Sequence, residues 1–189
     1  MDNTKKTLAQ RFEILREKIQ QSSFLKCEGL GNEVSIWIFC YDPSEEMQMQ
    51  AFLKHLMSSK SLNCKPAEFN LYQVFLSICE DKHILKVLAP TEKQKGAKFI
   101  LSQLRHLASN VAFADKIKSR MPEDANVILL TGIGDAYPFI RMHELLNALQ
   151  DKISNIPIVA FYPGTYNGND VKMFNLLDAN SYYRAFNII

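Results

Sequence analysis

Thr131-Gly132-Ile133-Gly134-Asp135 has the residue types of a phosphate-binding turn. Two glycines between an apolar run and a helix would let an anion approach backbone N–H groups at the helix N-terminus. The dinucleotide fingerprint needs a third glycine, and Tyr137 stands in its place; the lysine-bearing phosphate loop is absent from the chain. A plainer account needs no ligand: a tight turn, with Asp135 as N-cap and Pro138 in the first helical turn. Asp42 ends another apolar run, where it could meet Asp135 as a carboxylate pair. Pro43 at the first helical position and Glu45 two residues on also make Asp42 a capping residue. Arg141 supplies a cation on the helix after Asp135, beside His143 and Asn147, which share a face. No second histidine lies at metal-ligand spacing, and HExxH, GxSxG and a Cys–His–Asn arrangement are all lacking. Tyr162-Pro163-Gly164-Thr165-Tyr166-Asn167-Gly168 packs two aromatics, a proline and two glycines into seven residues. It reads as a recognition loop or as an ordered surface turn.

The elements that must position these residues are strands and helices in alternation. Asn126–Leu130 and Ile156–Phe161 are apolar without polar alternation, as strands covered on both faces are. Between them Phe139, Met142, Leu146, Leu149 and Ile153 recur at helical spacing, which completes a βαβ unit. Ile36–Tyr41 is a third buried strand with Trp37 inside it, and Glu68–Leu71 a short fourth. Leu8, Phe12, Leu15 and Ile19 give an amphipathic helix over about 4–21, which must dock on the rest. Further helices are predicted after Asp42, over Tyr72–Glu80, over Lys82–Ala89 up to Pro90, and over Thr91–Arg120 with a break near Ser109-Asn110. Val171–Leu177 is a short helix or strand, and Tyr182–Ile189 a last strand or docked end. The sum is one α/β domain over 1–189: three layers, a mostly parallel sheet with helices on both faces, Rossmann-like or P-loop-like without a phosphate-binding motif. Ligands of such sheets sit off the carboxyl ends of the strands. Asp42, Gly132, Gly134, Asp135, Tyr137, Arg141, Tyr162 and Tyr166 all fall there.

Composition narrows the class. A 47% hydrophobic and 22% charged chain of 189 residues packs a core and is not disordered. A net charge of +2 argues neither for nor against nucleic acid. Lys93 to Lys98, with Lys116 and Lys118, form a basic face whose simplest account is a solvated surface. Cys27, Cys40, Cys64 and Cys79 have no CxxC pairing; Cys40 and Cys79 read as core residues, and no metal or cofactor is called for. No apolar run approaches membrane-spanning length, and a reducing cytoplasm is the expected compartment.

Several blocks carry a family resemblance over essentially the whole chain. They are Arg11-Phe12, Gly29-Leu30-Gly31-Asn32-Glu33, Tyr41-Asp42-Pro43, Asn70-Leu71-Tyr72, Leu130-Thr131-Gly132-Ile133-Gly134, Tyr137-Pro138-Phe139-Ile140-Arg141, Leu146-Asn147, Phe161-Tyr162-Pro163-Gly164 and Tyr182-Tyr183-Arg184-Ala185-Phe186. They resemble the BrxB family, the small component of BREX bacteriophage-exclusion systems. The resemblance implies a role in antiviral defence beside an AAA+ ATPase, a PglZ-type phosphatase-like protein and an adenine-specific DNA methyltransferase. It carries over no catalytic residue. It adds Arg184 to the contact candidates and makes a non-catalytic interaction subunit the expected function. A ligand- or nucleotide-binding domain using Asp42, Asp135 and Arg141 is the alternative.

Overall fold

The computed structural model describes residues 6–28, 35–153, 155–166, 171–178 and 185–189. Chain order is α1 (Leu8–Lys18), α2 (Ser22–Leu25), β1 (Ile36–Tyr41), a 3-10 turn over Pro43–Glu45, α3 (Glu46–Ser58), β2 (Pro66–Asn70), α4 (Leu71–Asp81), α5 (Leu85–Lys95), α6 (Ala97–Leu107), α7 (Asn110–Ser119), β3 (Val127–Thr131), α8 (Ile133–Ala136), α9 (Met142–Lys152), β4 (Ile158–Tyr166), β5 (Val171–Met173), β6 (Leu177–Asp178) and β7 (Phe186–Asn187). Five strands lie in the order β2-β3-β4-β1-β7. Every pairing in that series is parallel. β5 and β6 continue antiparallel from the end of β4.

The pleat sends alternate side chains to opposite faces, and both faces are apolar because both are covered. Ile36, Ile38, Ile128, Leu130, Ile158 and Ala160 pack under α4 and α6–α9. Phe39, Tyr41, Val127, Leu129, Val159 and Phe161 pack under α1–α3, where Leu8, Leu15, Phe24, Met49 and Leu53 meet them. The three-layer α/β expectation therefore holds. Full burial of each such side chain stabilises the fold by about 1.5–3 kcal/mol. From β1 to β2 the chain crosses three places toward one edge, with α3 on the second face. From β2 to β3 to β4 it steps back one strand at a time, with its helices on the first face. Crossovers of one hand made in opposite directions must lie on opposite faces. The carboxyl ends of β1 and β3 thus send the chain to opposite sides, which opens a crevice between them.

Caps form where the residue types invite them. Thr7 and Gln10 close a capping box on α1. Asp42 Oδ1 accepts from the Ser44 N–H at 2.9 Å, and Glu45 Oε2 accepts from the Asp42 N–H at 3.0 Å.

Five expectations need correction. Asp135 is not an N-cap: Gly132, left-handed at φ 63°, precedes α8, and Asp135 lies inside it. Pro138 is in no first helical turn, because it falls between the end of α8 and the start of α9. α9 begins only at Met142, and Phe139 instead stacks on Phe75 with ring centroids 4.3 Å apart. Pro90 does not end a helix, because α5 runs through it to Lys95. The bond that Pro90 cannot donate falls on the carbonyl of Lys86, an exposed residue. Gly96, at φ 82°, makes the break instead. Trp37 is only half-buried near the short strand β7, against Phe24 at 5.6 Å and Phe186 at 5.3 Å.

Candidate functional site

Tyr41 ends β1 and lines two cavities at the carboxyl edge of the sheet. The first, of about 580 Å³, has Arg11, Cys40, Asp42, Thr165 and Tyr166 in its wall. The second, of about 680 Å³, lies between α3 and the ends of β2 and β3, with Glu46, Met49, Lys54, Glu68, Thr131 and Gly132 in its wall.

The first cavity is built around an unfinished strand. β7 pairs with β1 only at Trp37 and Ile38, which leaves the Cys40 carbonyl without a ladder partner there. The Arg11 guanidinium donates to that carbonyl and lies 4.7 Å from the Phe39 ring centroid. A buried carbonyl needs such a donor, and a cationic one is strong. Asp42 Oδ2 accepts from Asn175 Nδ2 at 3.2 Å, which ties the β5–β6 turn to the end of β1. The Tyr166 hydroxyl donates to the Ala185 carbonyl at 2.9 Å and so holds the C-terminal segment against the hairpin.

The second cavity carries paired polar groups over an apolar floor. The Tyr41 hydroxyl donates to Glu46 Oε2 at 2.5 Å, and Gln50 Nε2 donates to Glu46 Oε1 at 3.0 Å. The Thr131 hydroxyl donates to Glu68 Oε1 at 2.8 Å. Asn70 caps α4 through the Gln73 N–H at 3.1 Å. Its side chain fills the space a Cβ on Gly132 would need, 2.6 Å away. A Cβ on Gly134 would lie 2.9 Å from Phe174 and 3.1 Å from Pro163. Packing alone therefore accounts for both glycines of the turn.

The residues singled out by sequence do not converge on one site. Asp42 and Tyr166 share the first cavity. Gly132 lines the second, and the negative charge of Asp135 acts on Tyr41 between the two. Arg141 stands elsewhere, in a shallow hollow with Arg105, Asn110, Pro138 and Glu144. Its nearest carboxylate is Glu144, 4.0 Å away. Tyr137 is 45% exposed. Tyr162, expected on the recognition loop, is 2% exposed inside the sheet and reaches no surface. Arg184 lies outside the described residues. Arg11, Tyr41, Glu46, Glu68 and Asn70 were not singled out as site residues, although Arg11, Tyr41 and Asn70 lie in the family blocks; Asn70, a capping type three residues before Gln73, also carried a local signal.

Burial shifts two groups here. The Cys40 thiol is pushed up to about 12 by burial, against the pull of Arg11. The Tyr41 hydroxyl is raised by burial first, then by its hydrogen bond to Glu46 and by the charges of Glu46 and Asp135. Both stay neutral in the folded chain at a pH that ionises them in the unfolded chain. Above pH 9, the ordinary cysteine value, the unfolded state holds fewer protons, so stability falls as pH rises. The stability is fully present below pH 9 and is lost toward about pH 12. Each such group contributes a slope of about 1.4 kcal/mol per pH unit. Urea midpoints should fall steadily above pH 9, and Cys40→Ala should lessen that fall. Equal slopes in both proteins would remove Cys40 from the account.

Among the described residues no helix is long and apolar enough to cross a membrane. Comparison with known proteins found one family. The family model described as "BREX protein BrxB" matches residues 67–188. A "BREX protein BrxB" from Bacillus cereus (strain H3081.97) is 36% identical over 187 residues, covering 95% of this chain and 96% of its own. Another, from Escherichia coli O9:H4 (strain HS), is 32% identical over 183 residues, covering 96% and 92%. No solved structure matches.

Proposed function

The chain belongs to the BrxB family of BREX proteins, and from that premise we propose that it acts in bacteriophage exclusion as a non-catalytic interaction subunit. It works as one α/β unit over 1–189 and binds a larger component of the same system. A PglZ-type phosphatase-like protein is the first candidate, ahead of an AAA+ ATPase or an adenine methyltransferase.

The supporting observation is two exposed apolar side chains, each close in sequence to one end of the Asp42–Asn175 tie. Leu176 is 81% exposed and Met47 77% exposed. Leu176 follows Asn175, and Met47 comes five residues after Asp42, on the two sides of the Asp42–Asn175 hydrogen bond. Phe174 and Asn175 both take positive φ, 55° and 61°. That is costly for a phenylalanine, and its ring is held against Gly134. A turn fixed in this way presents Leu176 at little further entropic cost, and preorganised apolar contacts favour binding. Asp42 and Tyr166 are candidate contacts on the same cavity wall, with Gly132, Gly134 and Asp135 shaping the edge; Tyr137 and Arg141 stay candidate contacts of a separate patch.

The test combines Leu176→Asp and Met47→Asp in cells carrying the whole defence operon. Melting should be unchanged. Recovery of the bound partner should fall by roughly thirtyfold, the equivalent of an interface centre worth about 2 kcal/mol, and restriction should fail with it. Full restriction with full recovery would remove this surface. A second reading, a small-ligand site, draws on the second cavity with its Glu46 and Glu68 carboxylates. Lost restriction in Glu68→Gln, with partner recovery intact, would favour it.

A further inference from the structure

Charge is unevenly divided along this chain. Residues 82–120 contain nine Lys or Arg and only two acidic residues, Glu92 and Asp115, a net of +7. The whole chain carries +2, so the remaining residues carry −5. The excess gathers on the α5–α6 hairpin. α5 has no buried side chain, and α6 buries only Leu104. The two helices lie against each other and against the first core through half-buried Leu85, Leu88 and Ile100. Lys86, Lys93, Lys95 and Lys98 lie on these helices and Lys82 at the end of α4 just before them, all exposed.

Of the other four basic residues of 82–120, Lys118 is exposed and three have internal partners. Lys116 pairs with Asp81 at 2.5 Å, Arg120 donates to Ser77, and Arg105 donates to the Pro138 carbonyl. None of these five lysines enters a salt bridge among the described residues; Lys95 lies 4.7 Å from the Phe99 ring centroid. Glu92 is the one acidic residue between Lys82 and Leu107. A solvated face normally mixes signs, and this one does not.

We propose that the α5–α6 hairpin is a sequence-independent docking surface for the phosphate backbone of a nucleic-acid duplex. The choice of partner follows from residue type. Lysines are flexible point charges suited to phosphate, whereas base edges and carboxylates are read by planar, bidentate side chains. Lysine is depleted at protein–protein interfaces, which argues against an acidic protein as occupant. Only one exposed phenylalanine, Phe99, and no exposed tyrosine or tryptophan interrupts the lysines, too few for stacking unpaired bases. An eleven-residue helix is about 16 Å long, so the lysines of the pair can span several successive phosphates. The negative remainder of the chain orients the hairpin toward a polyanion.

Fluorescence anisotropy with the full chain and a labelled duplex of about 25 base pairs tests this, starting near 50 mM salt. Binding should be indifferent to scrambling the duplex sequence. With five lysines engaged, log K should fall against log salt with a slope of about −4.5, a loss of between about two and three orders of magnitude by 200 mM. The triple variant Lys93→Glu, Lys95→Glu, Lys98→Glu should lose at least tenfold and keep its melting temperature, because none of the three is buried. The charge-matched control Lys26→Glu, Lys60→Glu, Lys65→Glu should lose no more than about threefold. No binding at 50 mM, or equal losses in the two triple variants, would overturn the proposal. Tighter binding to polyglutamate than to duplex, abolished by the hairpin variant, would also overturn it and give the surface to an acidic protein. Partner recovery from cells is read separately, so this surface and the Leu176 surface stand or fall apart.

Discussion

Tyr162→Ala is expected to lower the unfolding free energy by about 4 kcal/mol, and Tyr166→Ala by only about 1–2 kcal/mol. The two tyrosines belong to one strand, four residues apart, and differ in what surrounds them. Tyr162 is 2% exposed and among the largest fully buried side chains, in β4 between β3 and β1. It packs in the helix-covered core with Ile133, Ala136 and Met173. Truncation there leaves a cavity that close-packed neighbours cannot fill, and buried large aromatics cost about 3–5 kcal/mol when cut to alanine. Tyr166 is half-buried, and its hydroxyl donates a hydrogen bond to the Ala185 carbonyl. Urea unfolding of both variants, read at constant m, decides the matter. A near-native midpoint for Tyr162→Ala would mean that the β4 end is not seated in the sheet as described. A loss of partner recovery in Tyr166→Ala with unchanged melting would keep Tyr166 among the contact residues; Tyr162 has no exposed surface with which to join them.

The contrast also marks how far the amino-acid sequence carries. The three long strands were legible because Ile36–Tyr41, Val127–Thr131 and Ile158–Phe161 lack polar alternation, and only a sheet covered on both faces tolerates that. The Asp42-Pro43-Ser44-Glu45 cap was legible because each residue type has one local task there. Sequence could place Asp42, Tyr137 and Arg141 at the carboxyl edge, but not side by side. Lateral position depends on strand order, and neighbouring strands differ by only about 4.8 Å per step. The order β2-β3-β4-β1-β7 and the long path from α8 to α9 put Arg141 by Glu144 and Asn110, away from Asp42. Arg11 was unreadable for a related reason. Its partner is a main-chain carbonyl 29 residues on, and any residue type supplies a carbonyl. Pro163-Gly164 misled in the opposite sense. The pair reads as a strand end, yet β4 runs through it.

That passage through Pro163-Gly164 leads to the second large effect: Gly164→Ala should cost about 3 kcal/mol or more and release the β4–β5 hairpin. Up to Pro163, β4 pairs in parallel with β1; from Gly164 to Tyr166 it pairs antiparallel with β5. The chain changes partner at a residue whose φ is 151°, a conformation L side chains rarely adopt. A Cβ there would stand 1.9 Å from the Lys172 carbonyl oxygen and 3.2 Å from the Met173 Cα. Both atoms are backbone, so no rotamer change relieves the clash, and the two strands must part. With them would go the Pro163 carbonyl's bond from the Phe174 N–H, 2.8 Å long, and the Asn175 bond to Asp42. Gly96→Ala separates the two causes. Gly96 has φ 82°, but a Cβ there would meet nothing within 4 Å, so only the backbone strain, about 1 kcal/mol, remains. Hydrogen exchange of the β5 amides, together with urea midpoints, is the measurement. If Gly164→Ala costs no more than Gly96→Ala and leaves the β5 amides protected, the close approach of the two strands is not what holds the turn. If it frees β5 while the parallel sheet stays protected, Leu176 loses its fixed position, and partner recovery should fall as far as it does in Leu176→Asp.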